Sequence, residues 1–252
     1  MRNITENKRG QFVIIAVLLV AIMIVSVGAL LYDTASYYKN EPWQEYSALI
    51  GDIELNSQRL LELSLTNYTQ TSDPNVLKEN LNKWQLDLLR LYPSMGIALD
   101  FSLANGQANM EGVSLHFSEG LANVSREPVS ASSARASFTL NISSIGLYGY
   151  KFNSEAFLKL RIDRSEAYDS NTNMTVVAVN CEKNLPITGL TKNNFMVNGE
   201  PVIKVTSHYD AAQGLTFYSI FYTNAMPSEV QVWDQRGICV TGYSPNISTP
   251  SH

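Results

Sequence analysis

The sequence has few of the residues that build catalytic or metal centres. Its 252 residues include two cysteines and three histidines, and only 16% of the chain is charged. It contains no G-x-S-x-G nucleophile elbow, no phosphate-binding G-x-x-x-x-G-K-S/T loop and no Asp-x-Asp-x-Asp-Gly calcium loop. His116, His208 and His252 are far apart and have no metal-ligand spacing. We therefore predict no enzyme, no cofactor and no metal site. An exported hydrolase, whose carboxylates would meet only in the fold, is the least favoured alternative.

The charge balance argues against a nucleic-acid partner. The chain has 18 basic and 23 acidic side chains, a net charge of −5. The first ten residues contribute +2 (three basic, one acidic), which leaves −7 for the rest. No basic face is available to bind a phosphate backbone, so no nucleic acid is predicted among the partners.

One long apolar run dominates the N-terminal region. No charged residue occurs in the 21 residues from Phe12 to Tyr32, and a helix of that length, at about 1.5 Å per residue, crosses the ~30 Å core of a bilayer. The run exceeds the about 7–15 apolar residues of a secretory signal, and no small-x-small cleavage site follows it. We therefore predict a retained transmembrane helix at residues 11–33, rather than a removable signal or a buried soluble helix.

The flanking charges predict the orientation of that helix. Arg2, Lys8 and Arg9 precede the run with one acidic residue, and no basic cluster follows it. By the positive-inside rule, residues 1–10 form a cytoplasmic basic leader. The predicted localisation is the cell membrane, single-pass, with the C-terminal domains extracellular and membrane lipid as a partner.

Helical periodicity continues beyond the apolar run. Apolar residues recur every three or four positions on both sides of TNYTQTS (66–72), which we predict to be a connection. Pro42 suits the first position of one helix, and Asp73 suits the cap of the other. We predict an extracellular helical hairpin over residues 34–93. Its apolar stripes are expected to pack within the chain, in preference to packing between chains.

After Pro93 the apolar period changes to two, which is typical of half-buried strands. Alternation is clear in Ile97–Leu103 and Val113–Phe117, whereas SEGLANVSREPVSASS (118–133) reads as a polar connection. We predict an antiparallel β domain over residues 94–166. The turn-rich stretch SEAYDSNTN (165–173) predicts a boundary after it.

Residues 173–244 contain a second set of short strands. About six or seven strands, with an Asn198-Gly199 hairpin signal and a turn at 234–237, argue for a small β-sandwich. Residues 173–243 resemble the immunoglobulin-like modules of bacterial and archaeal surface proteins. The likeness is carried by Leu185–Thr191, Asn194–Val197, Phe217–Ile220, Val230–Asp234 and Arg236–Ile238.

The immunoglobulin-like resemblance implies a spacer or adhesion unit. A surface glycan or a protein is the ligand expected if the module binds. In that alternative, an exposed aromatic cluster is expected among Tyr209, Tyr218, Tyr222 and Trp233, although alternating strands bury about half of such residues.

Cysteines and sequons are the candidate modification sites outside the membrane. Cys181 and Cys239 allow one internal pairing, and disulfides persist outside the cell. We favour this disulfide, worth on the order of 4 kcal/mol, over two free thiols. The sequons expected outside, each a candidate for N-glycosylation, are Asn67, Asn123, Asn141, Asn173 and Asn246.

The junction before the apolar run carries the most specific family likeness. Lys8-Arg9-Gly10-Gln11 resembles the class III (prepilin-type) signal of archaeal type IV pilins and archaellins. The resemblance implies that a prepilin peptidase cuts between Gly10 and Gln11, and that the helix stays as an anchor and later as a filament core. Other pilin-like subunits are the implied partners.

The match to pilins departs at one position. Many type IV pilins have Glu at the fifth residue after the cut, where this chain has Ile15. Bacterial pilus-assembly and minor-pilin proteins begin with a similar Arg-Gly-Gln. The two β regions expected outside the membrane also make this chain longer than a minimal pilin, so a minor, tip-located or pilin-like surface protein is favoured over a bulk subunit.

The predicted fold class is α+β, with an N-terminal transmembrane helix, a helical hairpin packed on an antiparallel β domain, an immunoglobulin-like β-sandwich and a flexible tail at 245–252. The predicted function is that of a membrane-anchored, extracytoplasmic, pilin-like surface protein with a structural, adhesive or assembly role and no catalysis. A glycan- or protein-binding surface module is the alternative.

Overall fold

The computed structural model describes residues 8–223 and 229–244. The chain divides into two compact units, Met1–Ile53 and Glu54–His252. Helices occur together with antiparallel sheets, so the predicted α+β class is confirmed. Residues 1–7 of the predicted leader and the predicted tail at 245–252 lie outside the described residues.

Two α-helices come first in the chain. Helix α1 runs from Lys8 to Thr71, and helix α2 runs from Val76 to Leu91. The helix that the sequence predicts to begin at Pro42 is therefore a continuation of α1. Proline at a first helical position and proline inside a helix look alike in sequence, because only the path of the preceding residues distinguishes them.

The turn between the helices begins later than the sequence predicts. Helix α1 continues through most of residues 66–72, and the Thr71 hydroxyl donates to the carbonyl oxygen of Asn67 at 2.8 Å. Such a bond to the preceding turn satisfies a polar side chain within a helix. Asp73, the expected cap, accepts the N–H of Asn75 at 2.9 Å just before α2 begins.

Within the second unit, the two helices pack against each other and against β structure. Asn80 Nδ2 on α2 donates to Ser64 Oγ on α1 at 2.9 Å. The Ser57 and Ser154 hydroxyls are 2.6 Å apart and join α1 to a strand. The leucines buried completely in this hairpin are Leu61, Leu65, Leu77 and Leu81.

Thirteen strands follow α2 in the described part of the chain. They are β1 (Ile97–Leu103), β2 (Gly106–Met110), β3 (Val113–Phe117), β4 (Leu121–Ser125), β5 (Val129–Ile142), β6 (Leu147–Ala167), β7 (Asn173–Cys181), β8 (Phe195–Val197), β9 (Glu200–Pro201), β10 (Lys204–Asp210), β11 (Leu215–Tyr222), β12 (Glu229–Trp233) and β13 (Cys239–Tyr243). The main sheet has the order β1-β5-β6-β7-β11-β10, with β4 also paired to β5. The second sheet has the order β13-β12-β8-β9, and β2 pairs with β3 alone.

The main sheet replaces the predicted boundary between two β domains. Strands β6 and β7 pair antiparallel from Leu158 opposite Cys181 to Ala167 opposite Asn173. The polar stretch at 165–173 is thus the end of one strand, a short turn and the start of the next. Polar turn residues mark a hairpin and a domain linker in the same way, so the sequence alone does not separate the two.

The predicted connection at residues 118–133 also contains strands. It holds β4 and the beginning of β5, where Ala131, Ser132, Ser133 and Ala134 are all at 0% exposure. Small residues let neighbouring layers approach closely, but their low hydrophobicity hides the alternation that marks a strand.

Different elements cover the two faces of the main sheet at β5 and β6. On one face the second sheet packs closely, and Ser132 Oγ donates to the carbonyl oxygen of Cys239 at 2.9 Å. On the other face the β2–β3 hairpin buries Leu115 and Phe117 against Phe157. The core therefore has three layers at this point.

The turn between β3 and β4 requires a glycine. Ser118 and Leu121 exchange backbone hydrogen bonds of 2.9 and 3.0 Å around Glu119 and Gly120. These two residues have φ of 48° and 78°, as in a type I′ hairpin turn. A Cβ on Gly120 would lie 2.8 Å from a Leu77 methyl and 2.9 Å from the carbonyl oxygen of Arg135.

We expect Gly120→Ala to destabilise the second unit by about 3 kcal/mol, combining the cost of a positive φ with an overpacked contact. Gly106→Ala is the matched control, because Gly106 has φ of 85° but a Cβ added there would have no atom within 4 Å. The control should cost about 1 kcal/mol. Urea unfolding of the detergent-solubilised chain measures both values, and equal losses would show that the contacts around Gly120 are unimportant.

Candidate functional site

The first unit presents an apolar helical surface. The segment Ala16–Asp33 of α1 is long and apolar enough to cross a membrane, and none of it is buried. Leu18 and Leu30 are 59% and 67% exposed. Ser26, in the middle of this segment, donates its hydroxyl to the carbonyl oxygen of Ile22 at 2.8 Å. This side chain therefore needs no polar partner from its surroundings.

The predicted cleavage junction lies at the beginning of the same helix. Gly10 and Gln11 fall in the first turn of α1, which starts at Lys8. Arg2, a basic residue of the predicted leader before this junction, lies outside the described residues. Cleavage after Gly10 stays a prediction.

Arg236, in the turn between β12 and β13, pairs with several carboxylates of the second unit. Its Nη1 lies 2.7 Å from Glu182 Oε1 and 3.2 Å from Glu62 Oε1. Its Nε lies 2.7 Å from Asp234 Oδ2, and its Nη2 donates to the carbonyl oxygen of Phe157 at 3.1 Å. We call these three carboxylates and Arg236 the Arg236 cluster.

The turn that carries Arg236 is built by Asp234. Its Oδ1 accepts the N–H groups of Arg236 at 2.9 Å and Ile238 at 3.0 Å, and its side chain is 3% exposed. Gly237 N–H donates to the carbonyl oxygen of Asp234 at 3.1 Å, which confirms the turn predicted at 234–237. Thr66 of α1 donates to the carbonyl oxygen of Arg236 at 3.2 Å. Both backbone and side chain thus hold the guanidinium in place.

The Arg236 cluster is suited to holding elements together. Burial alone lowers the pKa of Arg236, but its hydrogen bond to Glu182 and the charge of Asp234 outweigh burial and raise that pKa. All three carboxylates bind this one cation, which links the helix, the loop after β7 and the turn between β12 and β13. Within residues 8–223 and 229–244, no group of three or more His, Cys, Asp or Glu side chains could hold a metal ion.

The sequence predicts the turn at 234–237 but not the cluster around it. Glu62 and Glu182 precede Arg236 by 174 and 54 residues, so no local pattern joins them. The available signal was local: an acidic residue two positions before an arginine, inside a turn.

Replacing Arg236 with alanine is expected to lower the free energy of unfolding of the second unit by about 3 kcal/mol, because it leaves partly buried carboxylates without a counter-charge. Arg236→Lys keeps the charge but loses the planar set of donors, and should lose about half as much. Chemical denaturation followed by circular dichroism of the whole chain in detergent measures the change.

The control for this prediction is Arg164→Ala. Arg164 lies 3.6 Å from Glu166, with both side chains at least half exposed (61% and 50%). An exposed pair of this kind contributes about 0–1 kcal/mol. A loss at Arg236 no larger than that at Arg164 would contradict the role assigned to the cluster.

Two cavities of the second unit are lined by charged side chains. One of about 210 Å³ is lined by Lys159 and Arg161. Burial lowers the pKa of Lys159, whose Nζ donates to the carbonyl oxygen of Glu111 at 3.1 Å. The Arg161 guanidinium lies 5.6 Å from the centre of the Phe217 ring. A wider cleft of about 540 Å³ has polar walls that include Arg135 and Glu155.

The aromatic residues expected to form a binding cluster do not come together on the surface. Tyr218 and Tyr222 are buried, at 0% and 2% exposure, which agrees with the core packing expected for most of the four. Tyr218 donates its hydroxyl to the carbonyl oxygen of Ile187 at 2.7 Å. Trp233 is half-buried in the second sheet, and Tyr209 is 58% exposed on β10. His116 and His208 are exposed on separate strands.

The predicted Cys181–Cys239 disulfide is not formed, and both cysteines are free thiols. Cys181 ends β7 in the main sheet, and its sulfur contacts the carbonyl oxygen of Leu185 at 3.5 Å, in the loop that follows its own strand. Cys239 begins β13 in the second sheet, and burial raises its pKa to about 11. Strand order along the chain did not reveal which way either thiol points.

Four of the five predicted glycosylation sites occupy regular structure. Asn123 is exposed on β4, whereas Asn67 in α1, Asn141 in β5 and Asn173 in β7 are partly buried. Asn141 Oδ1 also accepts the backbone N–H of Gly149 at 2.7 Å. Asn246 lies outside the described residues. Modification of any of these side chains stays a prediction.

Comparison with known proteins leaves the chain without a match: no family model, no curated protein and no solved structure corresponds to it. The pilin-like and immunoglobulin-like resemblances therefore depend on the residues that carry them.

Proposed function

We propose that this chain is a membrane-anchored, extracytoplasmic surface protein of pilin-like organisation, with a structural, adhesive or assembly role and no catalysis. The observation that carries the proposal is the unburied apolar segment Ala16–Asp33. An exposed apolar surface of this size is costly in water and favourable in lipid. Membrane lipid is its first partner.

The charges around the segment support an external second unit. Three basic residues and one acidic residue precede the apolar run, and positive charge favours the cytoplasmic side. Residues 54–252 then lie outside the cell. Low charge content and internally paired carboxylates suit a unit that serves as a scaffold.

The immunoglobulin-like character of residues 173–244 is part of this proposal. Their strands divide between two sheets, with β7, β10 and β11 in one and β8, β9, β12 and β13 in the other. Asn198 and Gly199 have φ of 52° and 79° and make the tight turn that the sequence predicts between β8 and β9. Two apposed sheets of this kind support a spacer or adhesion role.

Processing after Gly10 completes the pilin-like proposal. A membrane peptidase of the prepilin type would remove residues 1–10 and leave α1 with Gln11 as its first residue. Other pilin-like subunits are the proposed partners in assembly.

Membrane anchoring predicts that the chain stays with the membrane after alkaline carbonate extraction. Ile24→Lys places a charge at the centre of the apolar segment, at a cost of about 2.5–3.5 kcal/mol for insertion. This variant should move substantially to the soluble or aggregated fraction, whereas Ile24→Leu, the matched control, should behave as wild type. Release of the wild-type chain by carbonate would refute anchoring. Resistance of residues 54–252 to protease added to whole cells would refute the external orientation.

Processing predicts a mature N-terminus at Gln11 in cells that contain a prepilin-type peptidase. Gly10→Val should block the cut and leave Met1 or Arg2 as the first residue. Gly28→Val is the control for adding the same side chain elsewhere in the helix, because nothing lies within 4 Å of a Cβ at Gly28. Intact mass of the membrane-extracted chain measures each N-terminus. A wild-type chain that keeps residues 1–10 in such cells would reject processing.

A further inference from the structure

The outer edge of β10 is an open edge of the main sheet. Strand β10 pairs with β11 over seven successive positions, from Lys204 opposite Phe221 to Asp210 opposite Leu215, without a register shift. Among residues 8–223 and 229–244, no strand pairs with its other side. Five of its seven residues are exposed.

This edge lacks most of the features that usually block strand pairing. Proteins protect open edges with proline, bulges, charges or a covering element. At the opposite side of the sheet, Gln85 of α2 donates its side-chain amide to the Leu99 carbonyl oxygen of β1 at 2.6 Å. The Lys204–Asp210 segment contains no proline and no bulge. Its charged residues are Lys204 and Asp210, which lie at its two ends.

We propose that β10 pairs antiparallel with β10 of a second copy of this chain, about a two-fold axis at Ser207. The segment Lys-Val-Thr-Ser-His-Tyr-Asp is self-complementary in this register. Lys204 lies opposite Asp210 of the second copy, Val205 lies opposite Tyr209, and Thr206 lies opposite His208. Symmetry repeats each pair, as an isologous interface requires.

In the proposed pairing, the apolar contacts lie on one face of the sheet and the charged contacts lie on the other. Val205 and Tyr209 share the face of buried Ile220, because Val205 is opposite Ile220 in the β10–β11 register. Lys204 and Asp210 are on the other face, since alternate residues of a strand point to opposite sides. Directly opposed unlike charges and apolar pairs both stabilise antiparallel strands. Tyr209, 58% exposed in the single chain, would gain apolar neighbours.

The charge pattern selects this register and this partner. Moving the two-fold axis to the residue before or after Ser207 removes both lysine–aspartate pairs. An unrelated strand would have to supply matching charges at both ends, whereas a second copy has them already. Chains held in one membrane also meet at a raised effective concentration, which favours a small interface. The pairing goes beyond the proposed function, because it requires neither cleavage at Gly10 nor a filament.

Cysteine crosslinking of the full chain tests this proposal. Ser207→Cys, in a Cys181→Ser background, would place two sulfurs at the two-fold axis. Opposed residues of antiparallel strands have Cα atoms about 4.5–5.5 Å apart, within the disulfide range. We expect a disulfide-linked dimer on a non-reducing gel, at several times the yield of Ser170→Cys. Ser170 is a matched control because it is likewise an exposed serine, in the β6–β7 turn.

Charge reversal tests the register. Lys204→Glu sets like charges opposite each other at both ends of the interface and should lower the Ser207→Cys crosslink yield on the order of tenfold. Adding Asp210→Lys should restore it. Lys204 also lies 5.6 Å from the Phe221 ring within the chain. Since the double variant does not restore that contact, recovery of crosslinking reports the contact between copies.

Asp210→Asn is a second variant expected to restore the dimer, and it is needed because Asp210→Lys also disturbs the turn after β10. Asp210 Oδ1 accepts the N–H groups of Ala212 and Gln213 in the turn after β10, and lysine cannot do so. Asp210→Asn keeps an acceptor oxygen, removes the like-charge repulsion of the Lys204→Glu chain and should restore part of the yield. Equal crosslinking at positions 207 and 170, or no effect of Lys204→Glu, would overturn the proposal. So would failure of both second substitutions to restore the dimer. The crosslink is read in whichever cell fraction holds the chain, so a failure of membrane anchoring is a separate result.

Discussion

Three carboxylates from separate parts of the second unit balance the positive charge of Arg236. Glu62 comes from α1, Glu182 follows β7, and Asp234 belongs to the same turn as the arginine. The side chain is 23% exposed, so the interactions act in a medium where unpaired charge is more costly than in water. Moving any one of the three parts away leaves a partly buried charge without its partner. The cluster therefore constrains the positions of the helix, the main sheet and the second sheet at once.

Strand β6 contacts Arg236 through the carbonyl oxygen of Phe157 and is a central strand of the main sheet. It has 21 residues, and it pairs with β5 along most of its length and with β7 over its second half. One continuous strand thus joins the regions that sequence pattern assigns to two domains. The second sheet and the β2–β3 hairpin pack on opposite faces of the main sheet at β5 and β6, and the small residues of β5 allow both to pack closely against it.

Much of the fold could be predicted from periodicity, and the exceptions have physical causes. The apolar run, the second helix and the alternating strands have strong local signals, and α2, β1 and β3 occur where the sequence predicts them. The strand at Ala131–Ala134 was missed because its buried residues are small. The domain boundary was misplaced because strand pairing is non-local. Apart from Asp234, two positions before the arginine, the Arg236 cluster had no signal in spacing, since Glu62 and Glu182 reach Arg236 only after folding. The direction in which a thiol points likewise depends on the loop beside it, so the cysteine count did not determine pairing.

The bonds between α1 and the remainder of the second unit lie side by side along one face of the helix. Ser57 contacts Ser154, Gln58 donates to the carbonyl oxygen of Glu155 at 2.8 Å, and Glu62 binds Arg236. A force that pulls α1 along its own axis would load these bonds together, in shear, instead of opening them one after another. Pulling the helix out of the second unit would therefore require these bonds to break at the same time.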